Sequence, residues 1–309
     1  MHVKIRRLLA VVFISAVVSA GCGRAAGGIA GETAGSPEIG GAQYNIVTSF
    51  YPVYIATINI TKDISGVAVK NMTKPQTGCL HDYSLMPDDL KTLEKADAFI
   101  VNGAGMEAFL DSVIKQRKNL KIIEASKGIE LLKDDNGEEN PHVWVGISNA
   151  ITYVNNIALQ LSESDTVHAD NYRANAAAYV QKLEALKMDM HNAIDGLRNR
   201  DIITFHEAFP YFAQEFNLHI AAVIEREPGS EPTPKELGGI IDTIGGSGIK
   251  ALFAEPQYSS KAADAIARET GAKVYELDPV VTGDVSADSY DAYINAMERN
   301  TKTLQEALK

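Results

Sequence analysis

At 309 residues the chain has room for two domains of ordinary size, and 45% hydrophobic with 22% charged residues describes a globular protein rather than a disordered or membrane-embedded one. A formal net charge of −11 excludes the basic face that a nucleic-acid partner would need to displace counterions.

The chain opens with the composition of an export signal. In residues 1–21, Lys4, Arg6 and Arg7 form a basic start, and Leu8 to Val18 is an apolar stretch too short to span a bilayer comfortably. Ser19-Ala20-Gly21 then supply the small residues of a cleavage site. Cys22 follows at once, which resembles the bacterial lipoprotein signal and implies acylation of that thiol and anchoring to the cell membrane. Residues 22–43, rich in Gly, Ala, Ser and Thr, read as a flexible tether. Cys79 is the second and last cysteine, so no disulfide framework is expected in the mature body. No later segment is long and apolar enough to cross a membrane. The expectation is an extracytoplasmic, lipid-anchored, monomeric protein.

From Tyr44 onward short β-rich runs alternate with helical stretches, the signature of α/β architecture with parallel strands. The predicted strands are Tyr44–Thr48, Val67–Asn71, Ala98–Asn102 and Lys121–Glu124, then Asp201–Thr204, His219–Ile224, Ala251–Ala254 and Lys273–Glu276. The two sets align at an offset of roughly 150 residues, an internal repeat carried by the order of elements. Pro87 and Pro234 each open a helix at equivalent places, where a missing N–H costs nothing. Between the sets, Tyr172, Ala176, Tyr179, Leu183, Leu186, Met190, Ile194 and Leu197 recur at the spacing of one helix face. The predicted organisation is an α/β lobe over 44–165, a linking helix within 166–198 and a second α/β lobe over 199–309. A single rigid linking helix should limit hinge opening.

Seven histidines are present, and His2 falls in the signal. His168 and His191 in the linking helix, and His219 at a strand start, read as surface or core residues. His81, His142 and His206 differ, because each follows a predicted strand, as does the carboxylate of Asp278. Open α/β sheets place ligand sites beyond the carboxyl ends of their strands. Two of the four residues come from each half, so facing lobes would bring them together. Three neutral imidazoles and a carboxylate suit tetrahedral zinc, whereas manganese prefers more oxygen donors. Glu207, beside His206, reads as an alternate ligand, an outer-sphere partner or a helix cap. Cys79, two residues before His81, would favour zinc further as a thiolate, although a buried cysteine is more commonly a small apolar residue. The fourth position therefore stands open among Asp278, Glu207, Cys79 and water.

On these residues the chain resembles the substrate-binding lipoproteins of bacterial ABC transporters for zinc and manganese, over nearly the whole body from Tyr44. The likeness rests on the His81 loop, Asn102-Gly103-Ala104-Gly105-Met106-Glu107, Asn140-Pro141-His142-Val143-Trp144 and Phe205-His206-Glu207-Ala208-Phe209. Glu231-Pro232-Thr233-Pro234, Phe253-Ala254-Glu255-Pro256-Gln257 and Leu277-Asp278-Pro279 add to it. The resemblance implies two (β/α) lobes joined by one long helix and metal held by His81, His142, His206 and Asp278. It also implies Zn2+ as the carried ion, since the third position is typically histidine in zinc members and glutamate in manganese members. ABC permease subunits would then be the partner. Many zinc members carry a His-rich loop before the second histidine, where this chain has only Asp134-Asp135-Asn136-Gly137-Glu138-Glu139.

Three other functions compete. A Mn2+ or Fe2+ carrier would use the same fold. A zinc hydrolase would also use three histidines with an open position, yet the chain lacks HExxH, a nucleophile elbow and a dinucleotide fingerprint. It is therefore read as no enzyme. A surface adhesin would need a host-ligand feature that the sequence does not specify.

Overall fold

The computed structural model describes residues 43–133, 137–224, 232–257, 259–285 and 287–309. The expected signal segment, Cys22 and the tether up to residue 42 lie outside the described residues, as do Asp134, Asp135, Asn136 and Glu231.

Strands β1 (Tyr44–Thr48), β2 (Val67–Asn71), β3 (Ala98–Val101) and β4 (Lys121–Glu124) form an all-parallel sheet in the order β2-β1-β3-β4. Strands β5 (Asp201–Thr204), β6 (His219–Val223), β7 (Ala251–Ala254) and β8 (Lys273–Glu276) repeat that order as β6-β5-β7-β8, again all parallel. Each strand lies where the β-rich runs place it, with Asn102 and Ile224 just past the ends of β3 and β6. The shared order makes the halves structural repeats, and the carboxyl ends of their inner strands form the crevice where such sheets bind ligands.

Helix α1 (Tyr51–Ile60) is buried at every one of its ten positions. An all-round apolar helix must be enclosed on all sides, and its polar members find partners within reach: Thr57 donates to the Val53 carbonyl and Asn59 to those of Ile55 and Tyr290. Helix α2 (Pro87–Glu94) starts at its proline, with Asp89 accepting from the Met86 N–H at 2.8 Å. Helix α7 (Pro234–Ser247) does the same with Thr233 and Glu236 in a reciprocal capping box. Helices α3 (Leu110–Gln116), α4 (Ile147–Ser164), α6 (Pro210–Glu215), α8 (Lys261–Thr270) and α9 (Ala292–Ala307) complete the layers.

The linking helix is α5 (Ala169–Ile194), about 39 Å long from its 26 residues. Tyr172, Ala176, Tyr179, Leu183, Leu186, Met190 and Ile194 are all buried along it, as their spacing predicts. That face packs on α1, α4 and α9, so the C-terminal helix returns to the first half instead of closing the second half alone.

The halves share one core. A continuous apolar cluster runs from Ile46 in β1 through α1, α4 and α5 to Ile202 and Phe253 in the second sheet and Leu308 at the end of the chain. A smaller cluster lies on the other face of the second sheet, under α7 and α8. The division follows strand alternation: Ile202, Ala251 and Phe253 face the shared core, whereas Ile203, Leu252 and Ala254 face the smaller one. Hydrogen bonds reinforce the union. Trp144 Nε1 donates to the Pro279 carbonyl at 2.8 Å, and the Tyr293 hydroxyl donates to the Trp144 carbonyl at 2.8 Å. The linking helix is thus one of several ties between the halves.

Trp144→Phe removes the indole N–H together with part of the buried ring, leaving the Pro279 carbonyl unpaired in a buried setting. The expected loss of stability is about 1–3 kcal/mol, read from denaturant unfolding. No change in the midpoint would show that this bond does not bind the halves together.

Candidate metal centre

The three strand-end histidines come together through locally fixed loops. His206 lies two residues past β5 and is buried. His142 is buried at the start of a short 3-10 turn, Val143–Val145, that leads into α4. His81 is half-buried in the loop after β2. Its loop is pinned by Leu80, which is fully buried and donates its N–H to Met106 Sδ. Tyr83 holds the far side by donating to Asp89 Oδ2 at 2.7 Å.

The Nε2 atom of His142 lies 3.2 Å from that of His206 and 3.4 Å from that of His81. Nitrogen donors held tetrahedrally around zinc at about 2.0–2.1 Å are about 3.3 Å apart. Both edges that meet at His142 therefore already have the length of such a site. Cys79 joins them: donor atoms of Cys79, His81, His142 and His206 all lie within 4.8 Å of one another.

Asn140 orients the central ligand. Its Oδ1 accepts from the His142 backbone N–H at 3.0 Å and lies 3.0 Å from His142 Nδ1. An amide oxygen only accepts, so Nδ1 carries the proton and Nε2 presents a lone pair to the cluster. The Asn140 amide also donates to the Glu207 carbonyl at 2.8 Å, next to His206, and the Tyr211 hydroxyl donates to the Asn140 carbonyl. One side chain thus ties the two ligand loops, one from each half.

A second brace lies behind Pro141. Asn102 donates to the Pro141 carbonyl at 3.0 Å and accepts from the Tyr153 hydroxyl at 3.1 Å. The turn at Gly103 has a φ of +78°, and a Cβ there would meet Ser126 Oγ at 2.8 Å, so glycine is required. Glu107 closes this turn by accepting from the Ser49 hydroxyl and the N–H groups of Asn102 and Gly103. Burial pushes its carboxyl up to about 7 against the pull of those three donors.

Electrostatics favour neutral ligands. Burial lowers His142 well below the ordinary histidine value, and repulsion from His206 and His81 lowers it further. Burial lowers His81 too, opposed by the nearby Asp82. Several lone pairs pointing at one spot are stabilised only by a positive charge placed among them.

Asp278 is not part of this close group. Its Oδ1 accepts from the Val280 N–H at 2.8 Å and its Oδ2 from Arg299 at 3.3 Å, while Asn300 holds its backbone on both sides. Val280 has a φ of +61°, a left-handed conformation that is costly for a β-branched residue. Burial raises the Asp278 carboxyl, countered by the Val280 N–H and Arg299. Glu207 also stands outside the group, and its carbonyl is what Asn140 grips. The other histidines sit beside carboxylates elsewhere: His168 by Asp165, His191 by Asp195 and Glu215, and His219 by Asp201. Sequence reasoning passed over Asn140 as a functional residue. The signal was available, because a metal-ligating histidine needs an acceptor for its other ring nitrogen.

Comparison with known proteins gives the family. The family described as "Zinc-uptake complex component A periplasmic" matches residues 46–307. The chain belongs to that family. Its members are solute-binding components of metal ABC transporters and not enzymes, and this protein is one of them. It is 29% identical over 296 residues to the "High-affinity zinc uptake system protein ZnuA" of Bacillus subtilis, covering 90% of this chain and 91% of that one. It is 30% identical over 289 residues to the "Zinc-binding protein AdcA" of Streptococcus pyogenes, covering 84% of this chain but 55% of that longer protein. Among solved structures, FpvC of Pseudomonas aeruginosa in complex with Mn2+ superposes with a TM-score of 0.77 at 30% identity, covering 86% of this chain and 98% of that one.

Two outcomes follow from the cluster. Asn140→Ala removes no donor atom yet should weaken metal affinity about 10–100-fold by isothermal titration; native affinity would mean that the amide does not set the His142 ring. In metal-free protein, nitrogen-15 NMR should find His142 still neutral at pH 6.5, where an ordinary imidazole is half protonated. Below 6.5 the unfolded chain takes up that proton while the folded chain does not, so stability falls as pH drops from 6.5 toward the lower folded-state value. A normal titration would contradict the burial argument.

Proposed function

We propose that this protein captures Zn2+ outside the cytoplasm through His81, His142 and His206 and hands it to the membrane-spanning subunits of an ABC permease. The observation that carries this reading is the group of three imidazoles whose two edges at His142 have tetrahedral length, with His142 held in the metal-binding tautomer. A manganese site would be expected to offer more oxygen donors, and none of the four clustered side chains is a carboxylate. Acylated Cys22 would anchor the body to the membrane as a monomer, with the segment up to residue 43 as its tether. Among the described residues no helix is long and apolar enough to cross a membrane. Asp278 stands outside the cluster, its carboxylate held by the Val280 N–H and Arg299. Manganese is the second cargo to weigh, because the FpvC structure that this chain resembles holds Mn2+.

Purified protein should carry zinc in elemental analysis and keep it against excess manganese. His142→Ala should lower zinc affinity by about a hundredfold or more in chelator competition, since it removes the ligand shared by both nitrogen edges. Unchanged affinity, or displacement of zinc by manganese, would reject this cargo and site.

A further inference from the structure

The zinc-carrying reading leaves one donor unassigned. We propose that Cys79 is the fourth ligand, in place of the carboxylate of Asp278, so that a one-sulfur, three-nitrogen set selects thiophilic d10 cations, zinc above all, and disfavours manganese. This rests on the reading of the site given above and deepens it.

Geometry is the first support. Cys79 Sγ lies 3.4 Å from His142 Nε2 and 4.0 Å from His206 Nε2. Zinc–sulfur and zinc–nitrogen bonds of about 2.3 and 2.0–2.1 Å at a tetrahedral angle place sulfur about 3.5 Å from nitrogen. Of its three edges to nitrogen, the one to His142 is already formed, the one to His206 closes by about half an ångström, and the His81 donor lies within 4.8 Å. The sulfur thus already belongs to the same close group of donors as the three imidazoles.

The placing of Cys79 in its loop is the second support. Fully buried Leu80 anchors the segment, while Cys79 and His81 on either side are half-buried. Leu80 sinks into the core, while the donor atoms of Cys79 and His81 on either side of it both join the cluster. The cysteine also packs against apolar neighbours, but that contact does not account for its sulfur sitting among three imidazole nitrogens.

The third support is the state of the competing carboxylate. Both oxygens of Asp278 are engaged, by the Val280 N–H and by Arg299, and Asn300 clamps its peptide groups. Reaching the cluster would break those bonds, whereas Cys79 needs no such cost. Sulfur in the donor set also bears on selectivity: thiolate ligands favour zinc, and oxygen ligands suit manganese.

Cobalt(II) alone, added to the metal-free full chain, tests the assignment without changing a residue. A cobalt–thiolate bond gives a near-ultraviolet sulfur-to-metal charge-transfer band, and a four-coordinate site gives intense visible bands. The native chain should show both; Cys79→Ser should lose the charge-transfer band, and Asp278→Asn should keep it. Cys79→Ser should also narrow the preference for zinc over manganese by about tenfold or more. Cobalt bound without a charge-transfer band, or a band that survives in Cys79→Ser, would overturn the sulfur ligand while leaving the three-histidine site intact. Failure of the native chain to bind cobalt or zinc would overturn both.

Discussion

The side-chain amide of Asn140 is the interaction on which the metal centre depends. With its oxygen it fixes the proton of His142 on Nδ1, and with its nitrogen it holds the backbone beside His206. Remove either half and the lone pairs no longer converge, or the two loops no longer meet. The Tyr211 hydroxyl holds the Asn140 carbonyl, and the same hydroxyl accepts from the Leu132 N–H, so the amide is itself held from behind. Chemistry at one point is thus secured by a chain of neutral hydrogen bonds, which act in a buried setting without a burden of desolvated charge.

Much of the fold was legible because its signals are local and periodic. The β-rich runs, the prolines before α2 and α7, and the apolar face of α5 each follow from steric and burial rules that act within a few residues. The repeat of two sheets was legible for the same reason. The shared core was not, since no local pattern says that α9 packs on α5 and α1, or that Ile202 and Ile203 face different clusters. In the site, the three histidines were legible from their place after strands. The relative nearness of Cys79 and Asp278 was not, because it depends on how Leu80 seats one loop and how Arg299, Asn300 and the strained Val280 hold another. These are tertiary facts.

The site also shows how a protein prepares for a cation that is not a permanent part of it. His142 is kept neutral by burial and by its imidazole neighbours, so the ion meets little competition from protons at that nitrogen. Donor atoms already near their final spacing demand little reorganisation, which raises affinity by reducing the entropy lost on binding. The half-exposed His81 loop is the open side, while His142 and His206 form a rigid floor.

The continuous apolar core has a consequence for communication with the membrane. Two bodies on a free hinge can announce their cargo by a change of overall shape. Here Phe253 of one sheet and Ile46 of the other belong to a single packed interior, and the Trp144–Pro279 bond crosses between them. A wholesale rotation would have to part that shared interior and that bond. The message that the carrier is loaded must therefore be written in the few side chains and loops at the mouth of the cleft. A permease reading it would be a proof-reader of local relief rather than of global posture.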